Sequence, residues 1–328
     1  MFMLQCDICP RNCFLAEQKT GFCGVRTLQN GKIVLQTYGK STGFAVDPVE
    51  KKPLNHFYPG SQTLSFGSIG CNLSCTFCQN ASTAQTGNVS LLHTEATPDS
   101  IVALAAKMHC QSVAFTYNEP IISAEFVTET AAACRKAGIK TIAVSNGYIS
   151  EIRRKEFFDF MDAANIDLKS FSEDFYRNYC SAELEPVKQT IRYLSESKTW
   201  LEITVLLIPA RNDSDQEIAA LSQWIAENAG TEVPLHFSAF HPANRMLNLP
   251  PTPPQTLFNA REIAFSFGLK YVYTGNIRDP AGQSTTCPQC GQTVIARNGY
   301  KVEEYHIDAE SCCRYCGQSI NGKFEEID

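Results

Sequence analysis

The sequence predicts an α/β protein built around a parallel sheet, on two observations. From residue 64 onward short apolar runs alternate with helical patterns, and polar residues collect just past the end of run after run. The runs that read as strands are 64–66, 112–116, 140–145, 164–168, 201–208, 234–240 and 270–273. Strand–helix alternation of this kind implies a parallel sheet with helices outside it. Periodicity alone leaves open whether the sheet is doubly wound or closed towards a barrel. In either case the active site lies at the C-terminal ends of the strands. The polar segments fit that rule: Tyr117-Asn118-Glu119-Pro120, Ser145-Asn146-Gly147, Asp167-Leu168-Lys169, Pro209-Ala210-Arg211-Asn212-Asp213 and His241-Pro242 follow five strands in succession.

Composition narrows the class. A chain of 328 residues suits one large domain with small appendages. A net charge of −6 argues against a general electrostatic grip on nucleic acid or an anionic membrane. No run approaches the roughly 18 apolar residues of a spanning helix, and the N-terminus lacks a signal-peptide core, so a cytoplasmic protein is expected. Of 15 cysteines, all but Cys110, Cys134 and Cys180 fall into three tight clusters, which reads as reduced, metal-binding thiols. The three single ones are small core residues.

Taken in order, residues 1–60 form a cysteine-rich N-terminal segment and lead-in loop. Cys6, Cys9, Cys13 and Cys23, with Pro10 and Gly21 shaping turns, make a four-thiolate metal site for zinc or a second iron–sulfur cluster. Asn30-Gly31 is a strong turn dipeptide leading into a strand at 32–38. The prolines at 48, 53 and 59 predict an ordered loop over 47–60, with His56 as a possible ligand or proton donor within it. Residues 61–283 form the α/β domain. Its helices have recognisable ends: Thr97 before Pro98, Pro120, Gly138, and Ser150, Ser172 and Ser214 as N-caps. A last helix is expected at 256–268. Residues 284–328 are a separate tail, where Cys287-Pro288-Gln289-Cys290-Gly291 and Cys313-Arg314-Tyr315-Cys316-Gly317 form two knuckles of a zinc ribbon or a rubredoxin-like iron site. Cys312 is a spare neighbour able to replace Cys313.

The chemistry starts in the loop after the first of these strands. Cys71-Asn72-Leu73-Ser74-Cys75-Thr76-Phe77-Cys78 places three thiols on a short loop. Soft sulfur ligands select iron–sulfur clusters, zinc or Cu(I). A closed zinc site and an ordinary cubane each take four protein ligands, so three leave a coordination position for something else. The plainer alternative is a zinc knuckle whose fourth ligand lies elsewhere. Phe77 would shield the group from water.

This loop resembles the cluster motif of radical S-adenosylmethionine (radical SAM) enzymes. Over nearly its whole length the chain is similar to the radical SAM enzyme of the AmmeMemoRadiSam system, a family close to pyruvate formate-lyase activating enzymes. The resemblance rests on Cys9-Pro10-Arg11-Asn12-Cys13, Val46-Asp47-Pro48-Val49-Glu50-Lys51-Lys52-Pro53-Leu54, His56-Phe57-Tyr58-Pro59-Gly60, the cysteine loop with Gln79-Asn80, Tyr117-Asn118-Glu119-Pro120, Phe240-His241-Pro242 and the two terminal knuckles. It implies a partial (β/α) barrel, and a [4Fe–4S] cluster on Cys71, Cys75 and Cys78 whose fourth iron takes SAM. Asn118 and Glu119 then fall where the SAM amino group is received, Asn146 where ribose or carboxylate is contacted, and Ile208 in a segment that packs against adenine. Asp167 and Lys169 match an Asp-Leu-Lys that lines the substrate and SAM cavity, with His241 at the same mouth. Ala239 stands where an arginine is expected in Ser-Arg-Phe-His-Pro.

Two functional classes follow. One is a radical enzyme, served by a flavodoxin- or ferredoxin-type donor, that activates a glycyl-radical partner protein or modifies another substrate. The other is a non-catalytic iron–sulfur or zinc scaffold.

Overall fold

Eight strands form one sheet in the computed structural model, which describes residues 2–324. They are β1 (Gly43–Pro48), β2 (Gln62–Gly67), β3 (Ser112–Phe115), β4 (Lys140–Ser145), β5 (Ala163–Asp167), β6 (Trp200–Leu207), β7 (Leu235–Ala239) and β8 (Val272–Gly275). Neighbours in the sheet are neighbours in the chain throughout. From β2 to β8 every pair is parallel, and only β1 runs antiparallel, on β2. Between consecutive parallel strands lie α1 (Pro98–Lys107), α2 (Ala124–Lys136), α3 (Glu151–Phe158), α4 (Glu185–Ser195), α5 (Asp215–Asn228) and α6 (Pro254–Ser266). Right-handed crossovers along a monotonic strand order put all of these helices on one face of the sheet. The other face is left for a cavity, as a partial barrel requires.

Several helix ends are built as their residues predict. Thr97 and Ser100 form a reciprocal capping box at the start of α1, with Pro98 in the first turn. The Ser214 hydroxyl accepts from Glu217 N at the start of α5, and Gly138 takes a left-handed φ of 75° beyond α2. Ser150 differs, because its hydroxyl donates to the Asp7 carbonyl and so ties α3 to the N-terminal segment instead of capping it. The hairpin Arg26–Gln29 with Lys32–Leu35 turns through Asn30 and Gly31, at φ of 50° and 71°. Its second strand ends three residues sooner than expected. Residues 43–48 form β1 although Pro48 ends it, since β1 is an edge strand and can forgo an N–H.

The lead-in loop plugs one end of the inner face. Val49, Leu54 and Phe57 pack there with Ala114, Ile142 and Ala163. A carboxylate inside the sheet anchors the loop. Glu202 is fully buried on β6 and accepts from Asn55 N at 2.9 Å, His56 N at 2.8 Å and His236 Nε2 at 2.6 Å. Burial alone would raise its pKa, but His236 and the other donors hold it below the ordinary carboxylate value.

The tail strands β9 (Thr285–Thr286), β10 (Thr293–Asn298) and β11 (Lys301–Tyr305) dock on β8 and this loop. Arg297 on β10 is 2% exposed. Its guanidinium reaches Glu50 Oε1 at 3.4 Å, Asn55 O at 2.7 Å and Thr285 Oγ1 at 2.9 Å. His56 is a core residue: Nδ1 lies 2.6 Å from the Asn321 carbonyl and Nε2 lies 2.6 Å from the Tyr273 hydroxyl. Burial lowers its pKa to about 4, so the ring is neutral. A carbonyl only accepts, so Nδ1 carries the proton and Tyr273 donates to Nε2.

Candidate active site

At the C-terminal ends of the parallel strands the inner face opens into a cavity of about 650 Å³, within the range of small-molecule sites. Cys71, Cys75 and Cys78 line it together with Asn118, Glu119, Asn146, Asp167 and Lys169. Glu50, Lys51, Arg278 and residues 297–300 of the ribbon line it as well. Ile208 and His241 are not on the lining. Ile208 is fully buried, and its N–H is held by Asn212 Oδ1 at 2.7 Å. His241 is exposed, with Nε2 3.4 Å from the Asn276 carbonyl.

The cysteine loop is held on several sides. Ser74 N and Thr76 N donate to the carbonyls of Cys180 and Tyr179, at 3.0 and 2.8 Å, where the chain makes a single π-helical turn, Tyr176–Cys180. Gln85 Nε2 and Asn244 Nδ2 both donate to the Cys75 carbonyl, at 2.7 and 3.1 Å. Asn118 binds the incoming strand end, accepting from Ser68 N at 2.8 Å and donating to the Ile69 and Gly70 carbonyls at 3.1 Å. The asparagine expected at a ligand therefore sets the path of the loop. Phe77 is 3% exposed, packs on Phe175 and lies on the cavity lining.

The sulfurs suit a soft metal group. Cys71 Sγ accepts from Leu73 N at 3.3 Å and Asn146 Nδ2 at 3.6 Å, and such donors to sulfur tune a cluster. Burial pushes the Cys71 thiol well above its usual pKa, and the Cys180 thiol beside Cys75 does the same there, together with burial. Cys180 itself does not line the cavity. Three thiols therefore face it, which fits a cluster that keeps one iron open for SAM.

Glu119 is 3% exposed, with both oxygens engaged. Oε1 accepts from Ile121 N at 3.0 Å and Ser145 Oγ at 2.8 Å, and Oε2 accepts from Asn146 N at 2.8 Å. Burial raises its pKa to about 7 against the pull of those donors. Asn146 bridges Glu119, Cys71 and Asn72 Oδ1 (2.9 Å), so acid, cysteine loop and β4 end act as one unit. Lys169 Nζ pairs with Asp167 Oδ2 at 2.7 Å. Burial opposes the ammonium charge, but Asp167 outweighs it and raises the lysine pKa.

The tail cysteines form a second kind of site. Cys287, Cys290, Cys313 and Cys316 present sulfurs all within 4.8 Å of one another and could hold a metal ion. Gly291 and Gly317 take left-handed φ values of 73° and 76° in the two knuckles. Cys312 is outside the group, its sulfur turned to the Glu310 carbonyl. Residues 297–300 of the cavity wall carried no local signal in the sequence, because only the docking of the ribbon brings them there.

Comparison with known proteins agrees with this geometry. The model of the radical SAM superfamily matches residues 67–222. An uncharacterized protein of Methanocaldococcus jannaschii is 39% identical over 319 residues, covering 97% of this chain and 95% of that one. The pyruvate formate-lyase 1-activating enzyme of Escherichia coli K12 is 24% identical over 178 residues, covering 53% of this chain and 72% of that enzyme. A solved radical SAM methyltransferase from Sphaerobacter thermophilus shares the fold, with a TM-score of 0.52 at 16% identity over 71% of each chain. The chain belongs to the radical SAM superfamily of enzymes and is a homologue of the pyruvate formate-lyase activating enzymes.

Proposed function

We propose that Cys71, Cys75 and Cys78 hold a [4Fe–4S] cluster and that the open iron takes SAM. When bound, this pair supplies reductive cleavage of SAM to methionine and a 5′-deoxyadenosyl radical, the electron coming from a low-potential flavodoxin- or ferredoxin-type protein. The observation that carries the reading is the meeting of three cavity-facing thiols with Glu119 and Asn146 at the strand ends. Glu119 offers the carboxylate for the SAM amino group. Asn146 fixes that carboxylate and the Cys71 sulfur in one frame. The Asp167–Lys169 pair lies on the same lining, beside the space left for substrate. Lys51, Arg278 and residues 297–300 of the ribbon share that lining.

Two homologues are named as activating enzymes, of pyruvate formate-lyase and of (2S)-3-sulfopropanediol dehydratase. Hydrogen abstraction from a glycine of a partner protein is accordingly the substrate reading. A reducing, cytoplasmic setting suits the free thiols. A scaffold without catalysis has no use for a cavity lined by a buried acid and a lysine–aspartate pair. Anaerobic reconstitution followed by dithionite and SAM is expected to yield 5′-deoxyadenosine. A fully loaded protein that forms none refutes the reading.

A further inference from the structure

Cys6, Cys9, Cys13 and Cys23 enclose one hollow, closed on its apolar side by Leu15 and Ile122. The backbone draws the four together: Cys6 N donates to Cys13 O at 2.9 Å, and Asn12, at φ 45°, turns the chain between Cys9 and Cys13. An all-sulfur set suits either a zinc ion or an iron–sulfur cluster.

Sulfur spacing separates the two. Zinc–sulfur bonds of about 2.3 Å in a tetrahedron set the sulfurs about 3.8 Å apart. The tail site has that spacing, with Cys287 and Cys316 sulfurs 3.6 Å apart and Cys290 and Cys313 sulfurs 3.8 Å apart. Among the described residues, no other group of three or more cysteine, histidine or acidic side chains brings its ligand atoms within 4.8 Å of one another. The N-terminal sulfurs are therefore spread more widely than a single ion holds them, as are those of Cys71, Cys75 and Cys78. A cluster interposes several irons and sulfides between its thiolates and needs such a spread.

We infer that Cys6, Cys9, Cys13 and Cys23 hold a second iron–sulfur cluster and not the zinc ion that four closely spaced cysteines first suggest. Its loop touches the first cluster loop directly. Arg11, between Cys9 and Cys13, donates from Nε to the Asn72 carbonyl at 2.6 Å and from Nη2 to the Ser181 carbonyl. A Cβ on Gly70, one residue before Cys71, would collide with the Cys23 carbonyl. A one-electron carrier would thus adjoin the SAM site.

The test uses full-length protein with Cys71, Cys75 and Cys78 replaced by alanine, isolated and reconstituted without oxygen. Iron, sulfide and zinc are counted, and the dithionite-reduced sample is examined by electron paramagnetic resonance. About four irons and four sulfides per chain are expected to remain, with a reduced-cluster signal and about one zinc. Adding Cys9→Ala and Cys13→Ala should remove that iron and leave the zinc. About two zincs per chain without iron overturn the inference, as does one zinc with nothing at the N-terminal site. Should these variants fail to fold, the wild-type count decides: about eight irons with one zinc supports a second cluster, and four irons with two zincs overturns it. None of these readings depends on SAM cleavage, so failure here is distinct from failure of the proposed function.

Discussion

Replacing Glu119 by glutamine tests the centre of the proposed site. The wild-type carboxylate accepts three hydrogen bonds, two on Oε1 and one on Oε2. A glutamine can keep its oxygen towards Ile121 N and Ser145 Oγ, but its NH2 then faces the Asn146 N–H, donor against donor. One buried donor is left unpaired, which costs about 1–3 kcal/mol of stability. If the carboxylate also holds the SAM amino group, a charge-assisted hydrogen bond of about 1.5–3 kcal/mol is lost as well. That corresponds to SAM binding weaker by about tenfold to a hundredfold. The assays are equilibrium SAM binding to the reconstituted protein and urea unfolding of the same sample. The pH dependence supplies a second arm. Because the carboxyl titrates at about 7, its contribution to SAM binding is present above that pH and lost as pH falls through it. The affinity gap between wild type and Glu119→Gln should therefore close below pH 7. For stability without SAM the sign reverses: the folded carboxyl keeps a proton that the unfolded one has lost, so this contribution declines as pH rises from 4.5 towards 7. Unchanged SAM affinity at pH 8 with a lowered unfolding midpoint would refute the assignment and leave Glu119 a turn support.

Arg297→Met should destabilise the protein by about 3–5 kcal/mol in urea unfolding, since it leaves Glu50 buried without its partner. Glu50→Gln in the same chain should restore part of that, and a loss below about 1 kcal/mol would contradict the docking role. Replacing Cys71, Cys75 and Cys78 together by alanine should abolish 5′-deoxyadenosine formation while zinc content stays unchanged, with elemental analysis and product chromatography as the checks. Cys290→Ser in the exposed half of the tail site should release about one zinc per chain, measured by a chromogenic chelator. Full retention of zinc by that variant would show that the metal sits elsewhere.

The order of the chemistry along the strands is legible in the chain: a three-cysteine loop after β2, then Asn118-Glu119, Asn146 and Asp167-Leu168-Lys169 at the ends of β3, β4 and β5. These could be read because a parallel sheet presents the residue after each strand to one mouth, so a one-dimensional pattern maps onto one surface. Caps such as Thr97 and the Asn30-Gly31 turn were legible for a related reason, since their hydrogen bonds close within a few residues. Contacts between residues far apart in the chain emerge only on folding. Arg297 meets Glu50 across 247 residues, Arg11 meets Asn72 across 61 and His56 meets Tyr273 across 217. The ribbon looked like a separable tail because its knuckles are self-contained, yet its hairpin completes the cavity wall. Likewise Glu202 is a lone acidic residue within the run 201–208, and only the fold shows it receiving the amides of the lead-in loop. Local pattern reports which groups reach the mouth; burial of charge against a distant partner, which leaves no periodic trace in sequence, decides what encloses it.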